Sequence, residues 1–109
     1  MTLLLNFIEN WRESLHIKLP QTIQLAGINI ETVIDKTLIS REGLAGRAIY
    51  SDQKIIIDTS IAEDSYMQSY CHEVVHYIFF ILGRDDLRNN EELVDMFAHL
   101  AYQAIKSAK

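Results

Sequence analysis

The sequence predicts an α+β fold, a small antiparallel sheet packed on helices, because helical periodicity gives way to strand alternation and then returns twice. A single domain spanning residues 1–109 is expected, since 109 residues suffice for one core and are too few for two of ordinary size.

Leu4, Phe7, Ile8, Trp11 and Leu15 recur at spacings of three and four, with Asn6, Glu9, Arg12 and Glu13 on the other side. That pattern predicts an amphipathic helix over residues 2–17, stopped by Pro20. From Thr22 to Asp35 the period changes to two, with Ile28, Ile30, Thr32 and Ile34 facing one way and a break near Gly27. Residues 44–50 and 54–58 are two further short strands, and the three residues between them make a hairpin the simplest connection.

Ser60 with Glu63 fits a capping box ahead of a helix over residues 61–82, closed by Gly83. After the polar connection 84–90, Asn89 with Glu92 repeats the capping pattern before a last helix reaching about Lys106. Its buried side is expected to carry Leu93, Val94, Phe97, Leu100 and Ala101.

Composition narrows the function. Apolar residues make up 49% and charged ones 23%, which is globular usage without low complexity. The net charge is −5 and the basic residues are scattered singly, so direct nucleic-acid binding is not expected. Cys71 is the sole cysteine, which excludes an internal disulfide and any multi-cysteine zinc site. The stretch MTLLLNFIENW lacks a basic leader, and the apolar run from Tyr77 to Leu82 is too short to span a bilayer. A cytoplasmic location without membrane association is the expectation.

Within the first of the two later helices stands C-H-E-V-V-H, from Cys71 to His76. His72 and His76 are four residues apart, so they stand roughly 40° apart on one face, one turn above the other, and can share a metal ion. Glu73 lies beside that face, within reach of a water at the metal without being a ligand. From this composition a chance H-E-x-x-H arises in roughly one percent of such chains. Burying two histidines and a glutamate on a Val- and Phe-rich helix is costly without a ligand, which favours a functional origin.

Zinc in a catalytic site takes three protein ligands, so a third is needed. The last helix offers Glu91, Glu92 and Asp95 in its first turns. Glu91 and Asp95 share a face, which suggests Glu91 as ligand and Asp95 as acceptor for the outer nitrogen of a ligating histidine. Glu92 points about 100° away and suits a solvated capping role. His99 is read as an ordinary histidine, and Cys71 as a small buried residue. For the oxyanion that peptide hydrolysis creates, Tyr66, Tyr70, Tyr77, His99 and Arg84 all remain open as donors.

The metal motif, the polar gap and N-E-E-L-V-D-M-F-A, from Asn90 to Ala98, together resemble the ImmA/IrrE-type metallopeptidases, especially the small versions carried by phages and mobile elements. The stretch G-R-A-I-Y-S-D-Q-K-I-I-I-D, from Gly46 to Asp58, is similar to the strand pair ahead of their metal helix, so the resemblance covers roughly residues 44–103. It departs at Tyr70 and Cys71, where Leu is usual, at Asp95, where many larger relatives have Asn, and in lacking the L-L-x-P segment after F-A.

The resemblance implies a minimal gluzincin-like fold with a metal-binding helix pair, Zn2+ as cofactor, Glu91 as the third ligand beside His72 and His76, and Glu73 as general base. It implies a zinc metallo-endopeptidase whose protein substrate is a transcriptional repressor of a mobile element. The strand over residues 54–58 is expected to receive an extended peptide along its edge. A zinc-stabilised binding module without catalysis is the alternative, and a metal-free helical domain with an accidental motif is a third.

Overall fold

A computed structural model describes residues 19–109, and the expected helix over residues 2–17 lies outside the described residues. The described chain is α+β, with a mixed four-stranded sheet and helices. Strands β1 (Thr22–Leu25) and β2 (Ile28–Ile34) form a hairpin. Both turn residues, Ala26 and Gly27, have positive φ, at 51° and 77°, a twist that matches that of the flanking strands. A short helix α1 (Leu38–Glu42), with no counterpart in the sequence pattern, then leads to β3 (Gly46–Ile49) and β4 (Lys54–Ile57), the second hairpin.

The sheet order is β1-β2-β4-β3, and β4 runs parallel to β2, Thr32 standing opposite Ile55. This corrects the antiparallel expectation. The path through α1 and β3 returns the chain in the direction of β2, so β4 inserts between β2 and β3. Ile55 and Ile57, on one face of β4, are fully buried, Ile56 on the other is half-buried, and this β-branched run suits an interior strand. A second correction follows: β4 has no free edge to receive a peptide, whereas β3 stands at the edge of the sheet, with β4 its one strand partner among the described residues.

Helix α2 (Glu63–Ile81) crosses this sheet. One side buries Met67, Tyr70 and Tyr77 against Leu19, Ile30, Ile55 and Ile57. The Tyr77 hydroxyl donates to the carbonyls of Ile49, at 2.7 Å, and Lys54, at 3.2 Å, fastening the helix to both strands of the second hairpin. The Ser60–Glu63 capping box does not form. The N-cap is Ala62, and the Ser60 amide donates to Asp58 instead, at 2.8 Å. Asp58, fully buried, also accepts from the Ile39 amide at 2.9 Å, so one carboxylate ties α1 to the chain entering α2. Gly83 does close the helix, at φ 69°, its amide donating to Phe80 and that of Arg84 to Phe79.

A one-turn helix α3 (Asp85–Arg88) occupies the polar connection and delivers the chain to α4 (Glu91–Ser107). The cap is Asn90, whose side chain accepts from the Leu93 amide at 3.1 Å, one residue beyond the expected Asn89. Val94 and Ala98 are fully buried against Val75 and Phe79 of α2, whereas Phe97 and Leu100 are 52% and 62% exposed, so the buried stripe is narrower than the apolar pattern suggests. Asp64 meets Tyr102 and Lys106 while His76 meets Glu91, which makes α2 and α4 antiparallel. No helix among the described residues is long and apolar enough to cross a membrane.

Candidate metal centre

His72 and His76 lie one turn apart on α2, their ring centroids 4.9 Å apart, facing the start of α4. The antiparallel pairing brings Glu91 over both rings. Its Oε1 is 2.9 Å from His76 Nε2 and its Oε2 is 3.1 Å from His72 Nε2, while the two Nε2 atoms are 3.2 Å apart. Two imidazole nitrogens and the two oxygens of one carboxylate thus crowd together, the nitrogen–nitrogen and nitrogen–oxygen separations close to the roughly 3.3 Å between ligand atoms of a tetrahedron built on zinc bonds of about 2.0–2.1 Å.

The outer nitrogens decide what those atoms carry. His72 stands between two carboxylates, Nδ1 3.3 Å from Asp95 Oδ1 and Nε2 3.1 Å from Glu91 Oε2, and in the tautomer that frees Nε2 for a metal, Nδ1 donates to Asp95. The His76 ring has the backbone carbonyl of Arg88 as acceptor, and with Nε2 turned to His72 and Glu91, Nδ1 serves that carbonyl. Burial pushes the His76 imidazole below its usual range, which keeps it neutral. In the tautomers that leave both Nε2 atoms unprotonated, two nitrogen lone pairs and a carboxylate face one another across the same small space. Such a donor set suits a cation such as Zn2+.

Glu73 competes by proximity, since atoms of His72, Glu73 and His76 lie within 4.8 Å of one another. The shorter distances belong to Glu91, which contacts both rings. Glu73 is 7% exposed, and burial pushes its carboxyl up to about 7; His72 opposes that shift and the Glu91 charge adds to it. A carboxylate poised near neutrality beside a metal site suits proton transfer.

A cleft of about 520 Å³ opens onto these groups, lined by residues 43–48 and Tyr50 on the sheet side and by Gln68, Ser69, His72, Glu73, His76, Glu91 and Asp95 on the helices. Gly46 is where strand and base meet. A methyl group added there would stand 3.1 Å from Glu73 Cγ and 3.0 Å from Ile57 Cδ1, both in buried side chains. Gly46→Ala is therefore expected to destabilise the fold by about 1–3 kcal/mol, readable as a lower denaturant midpoint with an unchanged slope.

The five site residues singled out in the sequence meet at this cleft. Glu92 is exposed and not among its lining residues, and His99 lines a separate cavity with Asp64 and Tyr102. Burial pushes the Cys71 thiol up to about 11, which leaves it inert at neutral pH. Gly46, Tyr50 and the Arg88 carbonyl were not legible beforehand, because tertiary packing alone brings them here.

No family model, curated protein or solved structure matches this chain.

Proposed function

We propose that the protein is a zinc-dependent endopeptidase, a reading carried by the convergence of His72 Nε2, His76 Nε2 and the Glu91 carboxylate on one point beside the buried Glu73. His72, His76 and Glu91 hold the metal, with Asp95 and the Arg88 carbonyl orienting the two rings. Zinc in such a site supplies Lewis-acid chemistry that lowers the pKa of water towards neutrality.

The chain's own groups do the rest. Glu73 takes one proton from the attacking water as its oxygen bonds to the peptide carbonyl carbon. When the C–N bond breaks, Glu73 returns that proton to the leaving nitrogen, giving a carboxylic acid and an amine, and the acid's remaining proton passes on to the amine, leaving carboxylate and ammonium. An extended peptide is held by adding as a strand along the open edge of β3, which borders the cleft. The likeness of the metal motif and of the Asn90 to Ala98 stretch to ImmA/IrrE-type peptidases supports the same reading and suggests a regulatory protein as substrate.

The deciding experiment incubates purified protein with denatured casein, with and without zinc. Cleavage that a chelator removes and zinc restores supports the reading. Stoichiometric zinc binding with no cleavage would replace it by a zinc-stabilised binding module.

A further inference from the structure

Hydrolysis also needs a hydrogen-bond donor for the carbonyl oxygen as negative charge builds on it. The donors open at the level of sequence are placed elsewhere. Tyr77 is 2% exposed with its hydroxyl committed to two backbone carbonyls. Tyr70 is buried in the core beside Thr32, and Tyr66 packs at the edge of that core. His99 lines the separate cavity, and Arg84 pairs with Asp86 at 2.8 Å on the surface.

Tyr50 is the phenol that lines the cleft together with His72, Glu73, His76 and Glu91. Its ring is fixed from two sides, stacked on Phe80 at 4.3 Å and edge-on to Tyr77 at 4.9 Å. Arg88, paired with Asp85 at 3.1 Å, places its guanidinium carbon 5.2 Å from the ring centroid, where a remaining N–H group can reach the phenol oxygen. A guanidinium carries donors only, so Arg88 must donate to the phenol oxygen. The O–H of Tyr50 is thereby left free to donate, while burial raises the phenol above its ordinary range and the Arg88 charge offsets only part of that rise.

Resting on the endopeptidase reading, we propose that Tyr50 is a catalytic residue that donates a hydrogen bond to the oxygen of the scissile carbonyl, and that Arg88 is the positioning residue that turns its hydroxyl into the cleft. Arg88 then serves the site twice, its backbone at His76 and its side chain at Tyr50.

The test compares zinc-loaded wild type, Tyr50→Phe, Arg88→Met and the double variant on a casein-derived peptide that wild type cleaves. Tyr50→Phe should lower kcat by about 10²–10³-fold with KM, zinc content and melting temperature unchanged. Affinity for the same peptide carrying a phosphinate at the scissile bond, read by calorimetry, should fall by a similar factor. Arg88→Met should lower kcat alone and add nothing in the Tyr50→Phe background.

Wild-type rates in Tyr50→Phe, or equal losses in KM and phosphinate affinity without loss of kcat, would overturn the assignment and leave the endopeptidase reading standing. A wild type that neither cleaves peptides nor binds the phosphinate in a zinc-dependent way would remove the endopeptidase reading and this assignment with it.

Discussion

Exchanging Glu73 for Gln is expected to lower peptide hydrolysis by about 10²–10⁴-fold, while zinc content stays at the wild-type level. Gln fills the same space under Gly46 and cannot accept the proton. Retained hydrolysis would show that another group serves as base. The same substitution has a second, independent signature in metal-free protein. Burial raises the Glu73 carboxyl to about 7 from 4.5, so the folded chain keeps a proton that the unfolded chain releases within that interval. The stabilisation from this group is complete below pH 4.5 and is lost as pH rises through about 7. In chelator, Glu73→Gln should therefore gain stability relative to wild type between about pH 5 and pH 8, measured by urea denaturation. A difference independent of pH would mean that the carboxylate is better solvated than its 7% exposure implies.

Zinc itself should produce the largest change in stability. At a free concentration about a thousand times its dissociation constant, a ligand specific for the folded state contributes about 4 kcal/mol, which in a chain of this size raises Tm by on the order of 20 °C. His76→Ala should abolish that rise, because His76 is the more enclosed of the two imidazoles, 11% exposed against 22% for His72, and contacts both His72 and Glu91. Calorimetric scans of both proteins in zinc and in chelator provide the comparison. An equal zinc response in His76→Ala would show that the metal sits elsewhere, and no response in wild type would withdraw the metal from the mechanism.

Local pattern made much of this molecule readable. The four-residue spacing of His72 and His76 on a helix fixes their common face whatever surrounds them, and the same rule groups Glu91 with Asp95. The strand signals at Ile28 to Ile34 and at Ile55 to Ile57 likewise depend on side chains a few positions apart. Sheet order was out of reach for the opposite reason. Whether β4 pairs with β2 or stands at an edge is decided by contacts between segments more than twenty residues apart, and the Ile run was the one local hint of an interior strand.

Caps failed by competition. Asp58 took the Ser60 amide, and of two adjacent asparagines it was Asn90 that capped α4. On α4, Phe97 and Leu100 fit the helical period as well as Val94 does, but α2 is too narrow to cover all of them. Tyr50 carries no sequence signal, since a tyrosine after a short strand is ordinary until Arg88 and Phe80 are seen against it.

Among the described residues β3 leaves its outer edge without a strand partner, which bears on self-association. Unpaired backbone that can accept a peptide can equally accept another copy of the same strand, and such edges are a common origin of aggregation. Here the edge is four residues long and bears the exposed Arg47 on a chain of net charge −5, features that discourage self-pairing. The same brevity limits what backbone pairing can grip: four positions span roughly 13 Å of extended chain. In the proposed endopeptidase, selectivity among proteins would arise from surfaces flanking the strand, with a long, flexible target held at one short stretch while the remainder stays in solvent.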